Sequence, residues 1–280
     1  MVNGGLRKTL ESGKRLVLPG AYNAFAARQI AQAGFPAVYI SGAGLSNSFG
    51  VPDDGSLGID DFLYLGGWIV KSAGVPVLCD ADTGFQNVGE TVKRYIEAGI
   101  SGLHIEDQAL PKRCGHLAGK EVVPADEMAA RIRDAASARD RHGPEFLVVA
   151  RTDARGASNI AEGVQFEEAV ARGRLYREVG ADAVFPEALR SREEFARYRK
   201  EVPGYLLANM TEFGRTPFIT AREFVEMGYD MVIFPVSLFR YHAGQTRIFL
   251  SRLREDGTQE GLVPGMMSRA EINQLLDYKP

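Results

Sequence analysis

Short apolar runs recur along the chain, each announced two or three residues earlier by a glycine. Ala33-Gly34 precedes AVYIS, Ala73-Gly74 precedes VPVLCDAD, and Ala98-Gly99 precedes GLHIED. Val179-Gly180 precedes AVFPEA, and Met227-Gly228 precedes MVIFP. Each glycine ends an amphipathic stretch, where a left-handed C′ residue without a Cβ costs least. The runs are short, β-branched and not alternating, the pattern of strands buried on both faces of a parallel sheet. Leu16 to Leu18, Phe146 to Ala150 and Tyr205 to Ala208 share that character without the glycine. Between the runs, a 3.6-residue apolar period predicts helices over Asp126 to Arg139, Phe166 to Glu178 and Ser191 to Lys200. Pro124 just precedes the first, and Ser191 with Glu194 has capping-box spacing in the last.

Eight candidate strands separated by helical segments in 280 residues give 35 residues per unit, a size that suits an α/β fold of the (β/α)8 TIM-barrel type. A doubly wound open sheet is the alternative. It calls for a glycine-rich dinucleotide turn after an early strand, and SGAG at Ser41 to Gly44 has too few glycines at the wrong spacing. No linker, low-complexity tract or break in composition appears, so one domain is expected over residues 1–280. Residues 262–280 read as a short extension with one helix starting near Ser268.

Composition narrows the partners more than the fold. Thirty-three Lys and Arg face 36 Asp and Glu, a net charge of −3 without a long basic run, which argues against nucleic acid or an anionic membrane surface. No apolar stretch approaches the ~20 residues of a membrane span. Met1 to Arg15 shows no signal-peptide pattern, and Cys79 and Cys114 are too few for a disulfide framework; the cytoplasm is the expected compartment.

Candidate chemistry lies where the apolar runs stop. In a barrel the active site sits at the C-terminal strand ends, and here those ends carry Ser41, Asp80 and Asp82, Glu106 and Asp107, Arg151 and Asp153, Glu187, and Asn209 with Thr211. Any one of these could be a helix cap or turn former; six strands doing it together describe a rim site. Asp53, Asp80, Asp82, Glu106 and Glu187 in one pocket would repel one another and need a cation or protonation. Hard oxygen ligands without a histidine cluster point to Mg2+, with Mn2+ as an alternative. Some of the acids could instead pair with Lys112, Arg113 or Arg151, above all Asp53 and Asp153. Lys112-Arg113-Cys114-Gly115-His116 places a cysteine among cations beside a histidine, a candidate for a tuned thiol that exchanges a proton through His116. Cys79 and His104 read as core residues, His142 and His242 as surface, and Trp68 as helix packing.

These segments carry a resemblance. PGAYNAFAARQIAQAGFPAVYISGAG, VPDDG, CDADTGF, LHIEDQALPKRCGH, VVARTDAR, VFPEA, LLANMTEFGRTP, IFPVSLFR and LREDGTQ are collinear over roughly residues 16 to 270. The chain resembles the isocitrate lyase/phosphoenolpyruvate mutase superfamily, and within it the 2-methylisocitrate lyases. KRCGH is specific to the superfamily's C–C lyases; FPEA, NMTEFGRTP and SLFR are finer markers of that branch. LSNS at 45–48 and the TGFQNVGE loop depart from common versions.

The resemblance implies a barrel whose last helix swaps between subunits of a tetramer, and Mg2+-dependent cleavage of a 2-hydroxy tricarboxylate, (2R,3S)-2-methylisocitrate, to pyruvate and succinate in propionate breakdown. It implies Asp80 and Asp82 as the metal pair, with Glu106 and Asp53 in the shell around it. Ser41, Gly42, Ala43, Arg151 and Glu187 would hold the pyruvate end, and Tyr39 would stand near the reacting oxygen. Asn209, Met210, Thr211, Cys114, Gly115, Arg240 and Arg269 would hold the succinate carboxylate, with Cys114 as the acid. Related readings are a 2,3-dimethylmalate lyase, an isocitrate lyase, an oxaloacetate decarboxylase and a degenerate metal-binding barrel.

Overall fold

A computed structural model describes residues 5–112, 115, 116 and 118–278. The predicted strands all form: β1 (Leu16–Pro19), β2 (Val38–Ile40), β3 (Val77–Asp80), β4 (Gly102–Glu106), β5 (Leu147–Thr152), β6 (Ala183–Pro186), β7 (Tyr205–Asn209) and β8 (Met231–Phe234). They are parallel and hydrogen-bonded in the order β1-β8-β7-β6-β5-β4-β3-β2. A parallel bridge between Gly20 and Tyr39 brings β1 back to β2 and rounds the sheet into a (β/α)8 barrel. All five glycines singled out in the sequence have positive φ, from 65° at Gly74 to 115° at Gly180.

Helices follow the strands: α2 (Ala24–Gln32), α3 (Gly42–Ser48), α4 (Ile59–Ala73), α5 (Val88–Glu97), α6 (Ala125–His142), α7 (Gln165–Glu178), α8 (Arg192–Glu201), α9 (Ala221–Glu226) and α10 (Ser237–Asp256). α11 (Arg269–Leu275) starts at the predicted place, with Ser268 capping Glu271 N. Ser191 caps α8 as expected, but Glu194 does not return the bond to it. Its carboxylate accepts from the Arg190 N–H and from Arg155 instead. Trp68 is not packed. It stands on the outer face of α4, 54% exposed, with the Lys71 ammonium 5.0 Å from its ring centre. The inner face of α4 is carried by Phe62, Gly66, Ile69 and Ala73.

The pleat divides each strand between two cores. Leu16, Leu18, Tyr39, Leu78, Leu147, Val149, Phe185, Leu207, Met231 and Ile233 point into the barrel and form its filling. Alternate residues, such as Val38, Cys79, Ile105, Val148 and Val232, face the helices. Leu6 and Leu10 of α1 (Leu6–Glu11) join the interior cluster and stopper the barrel at the N-terminal strand ends. That helix is not among those the apolar period predicts.

One face of the molecule is unfinished. α10 has no buried residue over its 20 positions. Beside its first turn lies an apolar hollow of about 420 Å³ lined by Pro19, Ile30, Phe35, Phe234 and Leu238.

Candidate active site

Because inward positions repeat every second residue, continuing each interior series to the strand end decides which polar side chains meet. Leu147 and Val149 lead to Arg151, Leu78 to Asp80, Phe185 to Glu187, Leu207 to Asn209, and Gly102 and His104 to Glu106. Asp107 falls on the opposite phase. It faces α7, where Arg172 Nη1 (3.0 Å) and the Tyr176 hydroxyl (2.8 Å) donate to it. It is part of the wall rather than the site.

The inward set lines a cavity of about 320 Å³ at the C-terminal strand ends. Tyr39, Ser41, Ala43, Asp53, Asp80, Glu106, Gly115, His116, Arg151, Glu187, Asn209, Thr211 and Arg240 all border it. Phe185, Ile233 and Pro235 add an apolar part to the lining, with the Arg151 guanidinium 5.3 Å from the Phe185 ring centre. Gly42 stands just behind, its N–H donating to Asp80 Oδ2 at 3.0 Å. Three expected residues lie elsewhere. Asp82 lines a neighbouring cavity. Met210 is turned into the outer core, its sulfur accepting from Ile219 N, and Arg269 sits exposed in α11. Cys114, with Arg113, lies outside the described residues.

Charge at the rim is balanced locally. Arg151 donates from Nε and Nη2 to both oxygens of Asp153, at 2.8 and 3.0 Å, and its Nη1 lies 2.9 Å from Glu106 Oε2. Lys120, almost fully buried, donates to Asp153 from the other side at 2.9 Å. Burial raises the Glu187 pKa, but the contact with His116 Nε2 and the Arg151 charge more than reverse this and hold it well below the usual carboxylate range. Glu106 has no such surplus, and burial pushes it well above that range despite Arg151. Tyr39 donates or accepts at 2.7 Å with His104 Nε2. Burial raises the Tyr39 pKa and lowers that of His104, so the pair is a phenol and a neutral imidazole at neutral pH.

The anticipated ion pairs exist: Lys112 Nζ donates to Asp53 Oδ1 at 2.8 Å and also to Asp82 Oδ1. Asp82 has a positive φ of 48°, a conformation non-glycine residues adopt sparingly. Burial and the neighbouring Asp80 push its pKa up to about 6. Asp80 is also raised by burial, but His104, Lys112 and Arg151 bring it below the usual range.

A divalent cation fits this donor set. The buried oxygens are hard, Glu106 Oε1 has no hydrogen-bond partner among the described residues, and a cationic ammonium already rests on Asp82. Among the described residues no three carboxylate, imidazole or thiolate groups stand together as a closed cage. Hard carboxylate oxygens suit Mg2+, which takes one or two carboxylates and keeps several waters, better than Zn2+.

The loop after β4 is pressed onto this rim. A Cβ on Gly115 would collide with Arg151, Glu187 and Asp153 at once, so only glycine fits there. The sequence does not mark Lys120 or Arg215, whose backbone N–H donates to His116 Nδ1, because their roles come from loop packing and no strand-end pattern points to them.

A strand-end ring of carboxylates and arginine thus lies under a glycine-tight loop. The phosphoenolpyruvate phosphomutase family model matches residues 6–252. The chain belongs to that family. It is 43% identical to a 2-methylisocitrate lyase of Aeropyrum pernix over 276 residues, covering 98% of this chain and 86% of the relative. Its structure resembles that of a 2,3-dimethylmalate lyase, with a TM-score of 0.88 and 38% identity over 97% of this chain and 91% of the other. It also resembles that of a phosphonopyruvate hydrolase complexed with oxalate and Mg++, with a TM-score of 0.84 and 30% identity over 97% and 93%. Among the described residues no helix is long and apolar enough to cross a membrane.

Proposed function

We propose that this family member is a Mg2+-dependent C–C lyase that cleaves (2R,3S)-2-methylisocitrate to pyruvate and succinate. The observation that carries the reading is the mixed lining of the cavity. Arg151, Asp80, Glu106 and Glu187 border it together with Phe185, Ile233 and Pro235. Such a pocket suits an anionic hydroxy acid carrying a methyl group.

Retro-aldol cleavage needs the hydroxyl proton removed, negative charge held on the forming 2-oxo acid, and the carbanion of the other fragment protonated. Asp80 and Asp82, with Glu106 beside them, would hold the cation. When bound, it would act as a Lewis acid on the oxo-acid oxygens. Tyr39 is a neutral phenol whose hydroxyl meets His104 Nε2. Tyr39 would stand beside the reacting hydroxyl as a route for its proton, held in place by that contact. Arg151, pinned by Asp153, presents a preorganised positive charge where the oxo acid forms. Asn209, Thr211 and Arg240 would bind the succinate carboxylate, and Cys114 would protonate the succinate carbanion. Gly115 and His116 lie over the cavity, so closure of this loop excludes water.

The test is a substrate panel with product identification: methylisocitrate, isocitrate, 2,3-dimethylmalate and oxaloacetate, with Mg2+ and after exhaustive chelation. Pyruvate and succinate are expected from methylisocitrate. Its methyl, worth ~1–3 kcal/mol against the apolar part of the lining, should give about a 10–200-fold kcat/KM preference over isocitrate. Faster turnover of another panel member, or full activity after chelation, overturns the reading.

The same proposal covers assembly. A 20-residue helix with no buried residue beside an open apolar hollow fits a partner's α10 packed there, in a homotetramer of helix-swapped dimers. A monomer at micromolar concentration in light scattering counts against it.

A further inference from the structure

The Lys112 ammonium stands where cation chemistry is expected. Its side chain is 7% exposed, and it donates at once to Asp53 and Asp82. A divalent ion on Asp82 Oδ1 would sit about 2.0–2.1 Å from that oxygen. Two cations cannot share one carboxylate oxygen at contact distance without strong repulsion. The ammonium also has somewhere to go. Lys112 borders both the active-site cavity and a second cavity of about 580 Å³, whose lining also includes Asp82. Carboxylates of Asp60 and Glu90 line that second space. Lys112 is chemically tied to the catalytic loop, because Gly115 and His116, three and four residues on, lie against Arg151 and Glu187.

We propose that Lys112 is a built-in competitor of the divalent cation: the ion binds by driving the ammonium from Asp53 and Asp82 into the second cavity, which couples metal occupancy to the position of the loop. The coupling is reciprocal, so whatever frees Lys112 tightens metal binding by the same factor. This rests on the metal reading above and adds to it an exchange between two cations.

The experiment follows Mn2+ binding to the full-length chain by electron paramagnetic resonance of the free ion, for wild type, Lys112→Met and Lys112→Arg. Circular dichroism confirms folding. Lys112→Met should bind Mn2+ at least about tenfold tighter, within the usual range of such couplings. Lys112→Arg keeps the charge and should show no gain. Adding Mg2+ to wild type should change hydrogen exchange at Lys112, Gly115 and His116. Wild-type Mn2+ binding with no gain in folded Lys112→Met, or an equal gain in Lys112→Arg, overturns the exchange and leaves the metal site standing. Absence of Mn2+ binding in both wild type and Lys112→Met overturns the metal site, and the exchange with it.

Discussion

His116 Nε2 lies 2.8 Å from Glu187 Oε1, while its Nδ1 accepts the Arg215 backbone N–H at 3.1 Å. An accepting Nδ1 places the ring proton on Nε2, which donates it to the carboxylate. One imidazole thus ties the loop after β4 to the end of β6 and to the segment after β7. Gly214 packs so closely on the ring that a Cβ there would strike it. With both nitrogens engaged, His116 is placed to position Glu187. His116→Ala should lower kcat by about 10²-fold, the usual cost of a misplaced site, with a smaller change in KM. His116→Gln, which still donates to Glu187, should recover part of it. Steady-state kinetics of the two variants check this; equal losses in both would refute the positioning role.

Cys114 is the residue on which the acid step depends. A thiol's ordinary pKa of ~8.5 is close enough to neutrality to serve as an acid, and a hydroxyl is far weaker. Cys114→Ser should still bind Mg2+ and succinate but lose cleavage by roughly 10²–10⁴-fold in single-turnover assays. A near wild-type rate would end the assignment.

Stability should record the Glu187 ion pairs. The folded-state pKa lies below the unfolded one, so the contribution is complete above about pH 4.3 and declines as the pH falls through and below that value. Glu187→Gln should cost about 1.5–3 kcal/mol at pH 7, the range for a buried hydrogen bond to a charged group. The gap to wild type should narrow below about pH 4.3. Thermal denaturation from pH 7 to 3 measures it, and a pH-independent gap would contradict the assignment.

Much of the site was legible because a barrel strand is a short, regular object. The glycine-then-apolar rhythm located five strands and the bare apolar runs the other three, and polar residues at six of the ends marked the rim. The same alternation also separates Glu106, which faces the cavity, from Asp107, which faces α7; reading one residue further along each strand would have made that division from sequence. The capping of α8 was half legible. Ser191 bonds only to its own helix, whereas Glu194 had a stronger partner in Arg155, 39 residues away.

By itself, then, the sequence determined the strand count, the parallel order implied by βα repetition, the glycine caps and the identity of the rim residues, because these depend on periods of 2 and 3.6 residues and on local backbone preference. Only the tertiary structure decided what those residues do to one another. Lys112 reaching Asp53 and Asp82, Lys120 buried on Asp153 and His116 bridging Glu187 and Arg215 join residues from 28 to 99 positions apart. The outward turn of Trp68 and the bare α10 were decided the same way. Such pairings arise when closing the barrel brings loop ends together, and the cost of burying an unpaired charge then selects which cation meets which carboxylate.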